Sequence, residues 1–192
     1  MLITVSGPPG SGKSTNADAV AEAFDLEHVS GGDIFRELAA ERGYTPVEFN
    51  ELAEDEDEID RDLDARLRAV AAERDDVVLE SRLAGWLAAE YADIRVWLDA
   101  PLSVRAERIA AREDKPVGVA RTETERREHS EAKRYRELYD VDVADLSIYD
   151  VTLNTARWPE ASVPELLVEA VGAYESGADE GAYPVEGVSY EF

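Results

Sequence analysis

The chain has 192 residues, 44% of them apolar, with 44 acidic against 20 basic side chains and a formal net charge of −24. This length suits one globular domain, and the negative charge disfavours nucleic-acid binding. No apolar run reaches the roughly 18 residues that a membrane span needs. The lack of cysteine excludes thiolate chemistry. We therefore expect a cytoplasmic protein of halophilic type, whose acidic surface suits a salt-rich cytoplasm, with an acidic interaction surface as the alternative. A monomer is expected only because monomers are common for the architecture predicted below.

The first predicted elements are a buried parallel strand, "LITVS" (2–6), and a helix from Lys13 to about Phe24. Between them, Gly7 to Ser14 match G-x-x-x-x-G-K-[ST] completely. Glycines let successive backbone N–H groups face an anion, and the helix adds its N-terminal dipole. Lys13 can reach the β- and γ-phosphates, and the Ser14 hydroxyl can ligate Mg²⁺. We expect a nucleoside triphosphate to bind residues Gly7, Pro8, Pro9, Gly10, Ser11, Gly12, Lys13, Ser14 and Thr15.

A second strand, "EHVS" (27–30), precedes a long helical interval before the next strand. The predicted helices there are 33–43, one that begins at the capping box "TPVE" (45–48), and 58–74. In "SGGDIFRELA", Asp33 and Arg36 lie three residues apart at a helix start and share a face. An arginine there can donate two parallel hydrogen bonds to a phosphate, and neighbouring backbone N–H groups can donate further ones.

"DVVLES" (76–81) and "IRVWLDAP" (94–101) are the third and fourth predicted strands, and a helix follows at 102–113. Arg82 comes directly after the third strand, on the side where parallel sheets bind ligands. On the following helix, Arg105, Arg108 and Arg112 recur at helical spacing. Each of these arginines could equally be part of a solvated face or a surface ion pair.

A charge-dense helix, or a pair of helices, is predicted from about Val119 to Tyr139. On it Arg127, Glu131 and Arg134 fall at i, i+4 and i+7. The fifth strand is "YDVTLN" (149–154), the last helix is 163–174, and an acidic, glycine-rich tail occupies 176–192.

These elements predict an α/β fold with a doubly wound, five-stranded parallel sheet. We assign a single domain to 1–175, with its core at 1–30, 76–114 and 143–175. The insertions at 31–75 and 115–142 should project from the strand ends, where such folds bind ligands. A GTP-binding switch would need an N-K-x-D segment that reads guanine, and the chain lacks one. The arginine-rich insertions instead favour a small-molecule kinase.

The chain resembles the nucleoside monophosphate kinases, and more closely the archaeal-type cytidylate kinases, over about residues 1–172. The resemblance is carried by "GPPGSGKST", "SGGDIFRELAAERG", "LESRLAGWLA", "SEAKRYRELY" and "DLSIYD". The chain departs from the family where it has "SGG" for Ser-Ala-Gly and "ESR" for Glu-Gly-Arg. The fold that the resemblance implies is that of a P-loop kinase.

The resemblance also implies an activity, transfer of the ATP γ-phosphoryl group to CMP or dCMP with Mg²⁺. Residues 31–75 would bind the monophosphate and 115–142 would form the lid, with adenine near 154–158. The resemblance implies that Asp33 and Arg36 lie at the monophosphate end of the site and that Arg82 holds the acceptor phosphate. Arg127 and Arg134 would close over the transferring phosphoryl group, and Arg112 would assist at the lid hinge.

Two alternatives stay open at this point. The first is an adenylate or shikimate-type kinase of the same fold, because no residue visibly reads cytosine. The second is an ATP-binding regulatory or assembly protein with weak kinase activity. The donor loop is common to all three and does not separate them.

Overall fold

The computed structural model of the chain describes residues 1–54 and 56–174. The strands are β1 (Leu2–Ser6), β2 (Glu27–Ser30), β3 (Val77–Glu80), β4 (Ile94–Asp99) and β5 (Val151–Asn154). The helices are α1 (Lys13–Phe24), α2 (Gly31–Glu41), α3 (Pro46–Leu52), α4 (Asp57–Glu73), α5 (Ala84–Leu87), α6 (Leu102–Glu113), α7 (Val117–Tyr139) and α8 (Ser162–Gly172). The five strands and all the expected helices are confirmed, and the expected tail at 176–192 lies outside the described residues.

The sheet is parallel throughout, in the order β2-β3-β1-β4-β5. Strand β1 is central, and its Val5 pairs with Glu80 of β3 on one side and Val96 of β4 on the other. Since parallel strands end at one edge, the glycine loop after β1 lies beside the residues that follow β3 and β4. This arrangement confirms the predicted fold class and positions the candidate site.

Helices cover both faces of the sheet. Helices α1 and α8 pack on one face, where Ala17, Val20, Leu167 and Val171 are buried against Ile3, Val5, Val78 and Val96. Helices α4, α5 and α7 pack on the other, where Leu67, Leu87, Tyr135 and Tyr139 are buried with Leu2, Val77 and Leu79. Burial of each large apolar side chain contributes about 1.5–3 kcal/mol, so α7 is anchored firmly to the core.

The first insertion has a small apolar cluster of its own, in which Leu38 of α2, Phe49 of α3 and Ile59 of α4 are buried together. The predicted capping box is present at its middle helix. The Glu48 backbone N–H donates to Thr45 Oγ1 at 3.3 Å, and the Thr45 N–H donates to Glu48 Oε2 at 2.9 Å. Helix α3 therefore begins where the sequence indicates.

Several boundaries differ from expectation. Residues 117–139 form one continuous helix rather than a pair, and it begins two residues before Val119. Helix α5, which was not predicted, is only four residues long and too short to show helical periodicity. No helix within residues 1–54 and 56–174 is long and apolar enough to cross a membrane.

Candidate active site

The glycine loop is seated closely on the elements beneath it. Gly7, Gly10 and Gly12 have φ angles of 148°, 77° and 93°, which side chains rarely adopt. A Cβ added to Gly7 would lie 2.1 Å from the Leu98 carbonyl oxygen, and one added to Gly10 would lie 2.8 Å from the Arg105 carbonyl oxygen. The loop can take this path over β4 and α6 only with glycine at these positions.

Lys13, the first residue of α1, is folded back over the loop. Its Nζ donates to the Pro8 carbonyl at 3.1 Å and lies 3.8 Å from Glu80 Oε1. Burial lowers the pKa of Lys13 to about 8, although the Glu80 charge opposes this shift. The ammonium group is thus held inside the loop, where an anion would relieve its desolvation.

Glu80, at the end of β3, was not among the expected site residues. It is buried, and its Oε2 accepts hydrogen bonds from Ser14 Oγ at 3.2 Å and from Ser30 Oγ at 2.9 Å. One carboxylate therefore ties the start of α1 to the end of β2. Together with the Ser14 hydroxyl, it supplies the oxygen ligands that Mg²⁺ prefers.

Arg82 and Arg127 meet at a shared carboxylate, Glu131 of α7. Arg82 forms an ion pair with Glu131 Oε2, while Arg127 Nε donates to Glu131 Oε1 at 2.6 Å. Burial disfavours the charged form of Glu131, but the charges of Arg82 and Arg127 outweigh it and lower the pKa to about 2. Both guanidinium groups also depress the pKa of Lys13, so the three cations share one electrostatic site.

A second set of contacts fastens the loop to the fourth and fifth strands. Arg105 Nε donates to the Ala100 carbonyl at 2.7 Å and its Nη1 to Pro9 at 3.2 Å, and the same side chain pairs with Glu128 of α7. Arg108 Nη1 donates to the Gly10 carbonyl at 3.2 Å and to Thr155 Oγ1 at 2.8 Å. These two arginines thus support the loop from α6.

The other expected site residues lie apart from the Lys13 cluster. Asp33 and Arg36 form an ion pair with each other, and 58% of the Arg36 side chain is exposed. Arg112 is 66% exposed and pairs with its neighbour Glu113 at 2.5 Å. The structure brings Lys13, Arg82 and Arg127 together, and leaves Arg112 on the surface of α6.

Arg134 contacts α4 instead of the loop. Its Nε donates to Asp60 Oδ2 at 2.5 Å, and its Nη1 donates to Ser130 Oγ at 2.6 Å. Burial raises the pKa of Asp60 despite the Arg134 charge. One turn along α4, burial and the Asp60 charge raise the pKa of Asp64 well above its ordinary value.

The segment expected near adenine follows β5 as a short 3₁₀ turn, Thr155–Arg157. The Asn154 side chain accepts from the Ala156 N–H at 3.0 Å, and Trp158 after the turn is 47% exposed. The Trp158 indole is therefore accessible to solvent at this edge of the sheet.

Comparison with known proteins gives a consistent result. Residues 2–157 match the model of the "Cytidylate kinase-like family". The chain is similar to proteins named "Cytidylate kinase" from Halorubrum lacusprofundi (66% identity) and Haloquadratum walsbyi (65% identity), each over 100% of both chains. It is also similar in fold to a solved structure, shikimate kinase from Acinetobacter baumannii, with a TM-score of 0.61, 16% identity, and 90% and 93% of the two chains covered.

Proposed function

Because the chain belongs to the cytidylate kinase-like family, we propose that it transfers the γ-phosphoryl group of ATP to CMP or dCMP, with ADP and CDP or dCDP as products. The observation that carries the proposal is the convergence of three cations beside the glycine loop. Lys13 belongs to the loop that binds the phosphate donor, ATP, whereas Arg82 follows β3 and Arg127 comes from α7. Three cations at one place suit a site that gathers the negatively charged phosphates of two nucleotides.

In the reaction, an oxygen of the acceptor phosphate attacks the γ-phosphorus of ATP. The bond between the γ-phosphorus and the oxygen that bridges it to the β-phosphate breaks, and ADP leaves. The transition state is loose, and its charge is spread over the phosphoryl oxygens. The protein therefore contributes position and charge rather than a nucleophile. An arginine placed on that charge raises the rate by about 10³–10⁵.

We assign Lys13 to the donor phosphates, Arg82 to the acceptor phosphate and Arg127 to the transferring group. Glu131 presents the two arginines, since one carboxylate holds both guanidinium groups at the same place. Asp33 and Arg36, at the start of α2, stand at the monophosphate end.

Arg134 and Arg112 keep supporting roles in the proposal. We assign Arg134 to the closed lid, where it ties α7 to Asp60 of α4 at 2.5 Å, and Arg112 to the hinge that precedes α7. Lid closure excludes water, whose attack would hydrolyse ATP.

Mg²⁺ fits the residues at the start of α1. The Ser14 hydroxyl and the Glu80 carboxylate are oxygen donors joined at 3.2 Å, and Mg²⁺ in kinases takes only one or two protein oxygens besides phosphates and water. When bound, the ion neutralises charge on the phosphates. We further propose that the protein acts as a cytoplasmic monomer.

The test is an ADP-release assay in high salt across CMP, dCMP, UMP, AMP, GMP and shikimate. Release that depends on CMP or dCMP supports the proposal. A preference for AMP or shikimate would indicate the other kinases of this fold, and slow release without any acceptor would indicate an ATP-binding regulatory protein. Lys13→Ala and Arg127→Ala should abolish transfer while the fold, followed by circular dichroism, is kept.

A further inference from the structure

Arg105 of α6 is a buried cation that contacts three parts of the molecule. Its side chain is only 7% exposed. Nε donates to the Ala100 carbonyl at 2.7 Å, directly after β4, and Nη1 donates to the Pro9 carbonyl at 3.2 Å in the glycine loop. Both terminal nitrogens of the same guanidinium group also bind the two carboxylate oxygens of Glu128 in α7. One side chain thus joins the core, the loop and α7.

The part of the loop that Arg105 contacts is also the part that holds Lys13. Lys13 Nζ donates to the Pro8 carbonyl at 3.1 Å, and Pro9, the acceptor for Arg105, is the next residue. The backbone of Arg105 limits the path of the loop as well, because a Cβ added to Gly10 would lie 2.8 Å from the Arg105 carbonyl oxygen. A shift of Arg105 would therefore shift the carbonyl groups beside Lys13.

On the other side, the ion pair is attached to the turn of α7 that carries Arg127. Arg127 and Glu128 are consecutive, so their side chains leave the helix about 100° apart. Arg127 is thereby directed to Glu131, and Glu128 to Arg105. The same helical turn contacts both the acceptor side of the site and the support of the glycine loop.

A cavity of about 290 Å³ lies between the loop and α7. Pro8 lines it on the loop side, Ala132 and Tyr135 line it on the α7 side, and Arg105 and Glu128 form part of its wall. Packing across this space is incomplete, so the ion pair bridges the loop and the helix where close packing does not. Four of the five N–H groups of Arg105 are directed to protein oxygens, and the side chain therefore acts through the loop and α7.

We propose that Arg105 and Glu128 are positioning residues for phosphoryl transfer. They hold the ATP-binding loop at a fixed place relative to the turn of α7 that carries Arg127, so that Lys13 and Arg127 act on the same phosphoryl group. A displacement of about 1 Å caused far from the reacting atoms can lower a rate by about 100-fold. The assignment rests on the proposed function and deepens it, since it names the contact that aligns the loop with α7.

The first test is Glu128→Gln, measured by kcat and KM in high salt and by calorimetric titration of ATP without acceptor. The neutral amide weakens the link to α7, but Arg105 can still donate to Pro9 and Ala100. We therefore expect kcat to fall by about 10- to 100-fold, while the Kd of ATP and the KM of CMP stay close to those of the wild type.

The second test is Arg105→Lys, which keeps the charge but not the planar group of five donors. One ammonium group cannot reach Ala100, Pro9 and Glu128 together. The Kd of ATP should therefore rise by up to about tenfold, which corresponds to one lost hydrogen bond, and kcat should fall as well. Because the two residues act as a unit, the double variant should lose less in kcat than the product of the two single losses.

Arg74 and Glu27 provide the matched control. They form an ion pair at 2.6 Å between the end of α4 and the start of β2, at the edge of the sheet opposite the loop, and each side chain is about half exposed. Arg74→Lys and Glu27→Gln should match the wild type in kcat, in both KM values and in the Kd of ATP.

Thermal unfolding of each variant separates a positioning role from a structural one. A lower Tm together with wild-type kcat in Glu128→Gln would mean that the pair only stabilises the fold, and the inference would be wrong. If Arg105→Lys does not fold, Glu128→Gln decides alone, since Glu128 is the more exposed partner. Failure of the proposed function appears in the wild type itself, as absence of transfer to CMP, and it overturns the inference too; failure of the inference alone appears only in the variants of an active wild type.

Discussion

Glu80 accepts a hydrogen bond from Ser14, with 3.2 Å between Ser14 Oγ and Glu80 Oε2. The two residues are 66 positions apart in the chain and meet because β3 is the neighbour of β1 in the sheet. The contact places a buried carboxylate beside the hydroxyl that the loop motif assigns to Mg²⁺. It makes Glu80 part of the donor site.

Glu80→Gln should keep the shape of this contact but remove its charge. We expect the apparent Mg²⁺ affinity, from a titration of phosphoryl transfer, to weaken by about 10- to 100-fold, as is usual when a partner of a metal ligand is lost. Glu27→Gln, at the exposed start of β2, is the control and should titrate like the wild type. An unchanged Mg²⁺ midpoint in Glu80→Gln would remove Glu80 from the site.

The pKa of Lys13 predicts a pH dependence of ATP binding. Burial lowers this pKa to about 8, so the ammonium form dominates below pH 8 and is lost above it. Because the charged form binds phosphate, the Kd for ATP should rise above pH 8, by up to about tenfold per pH unit. Calorimetric titrations from pH 7 to 9.5 test this, and Lys13→Met should bind weakly with a flat profile. A flat profile in the wild type would contradict the expectation.

Glu131→Gln should destabilise the protein, because it removes the buried counter-charge that is shared by Arg82, which is mostly buried, and Arg127, whose side chain is half exposed. The loss at pH 7 should be about 3–5 kcal/mol, measured by urea unfolding in high salt. Folding lowers the pKa of Glu131 from 4.5 to about 2, so its stabilisation is complete above pH 4.5 and declines as the pH falls towards 2. The difference from the wild type should therefore shrink by about 2 kcal/mol between pH 5 and pH 3.

Glu125→Gln provides the comparison for Glu131. Glu125 lies on the same helix and pairs with Arg121, but about half of each side chain is exposed. Its replacement should change the unfolding free energy by less than about 1 kcal/mol. Equal losses in the two variants would mean that Glu131 is not a special anchor for the arginines.

Alanine substitutions of a glycine in the loop and of a glycine in α7 should have opposite effects on stability. Gly7→Ala would place Cβ 2.1 Å from the Leu98 carbonyl oxygen at a φ of +148°, so it should abolish ATP binding and destabilise the fold. Gly118→Ala, in α7, meets no atom within 4 Å and should raise the unfolding free energy by about 0.5–1 kcal/mol. Thermal unfolding and ATP titration of both variants check this, and an ATP-binding Gly7→Ala would refute the steric argument.

The net charge of −24 predicts a requirement for salt. At about 0.01 M ionic strength, repulsion between carboxylates extends over about 30 Å, whereas at 1 M it is screened within about 3 Å. Circular dichroism should therefore show loss of structure in dilute buffer and recovery in molar salt. Stable folding at low ionic strength would contradict the interpretation of the acidic surface.

The sequence predicts the strands, most helices and the glycine loop because each depends on a local pattern. Glu80 was missed because its importance comes from the pairing of β3 with β1, which no local pattern encodes. Arg127 and Glu131, four residues apart, look like an ordinary surface pair until the fold brings Arg82 to the same carboxylate. Similarly, Arg105, Arg108 and Arg112 have equivalent spacing, and only the packing of α6 buries the first and exposes the last.

Thr155 has a consequence for how such a protein could be redesigned. Its hydroxyl lies 2.9 Å from the Ser11 carbonyl oxygen and 2.8 Å from Arg108 Nη1, so at this point the ATP-binding loop is fastened by residues of the core. The acceptor half instead depends on ion pairs between α4 and α7, such as Asp60 with Arg134. A grafted α4 and α7 from another kinase that kept Glu128, the α7 partner of Arg105, would therefore exchange the acceptor site and leave the ATP site intact, which makes the two sites separable parts for engineering.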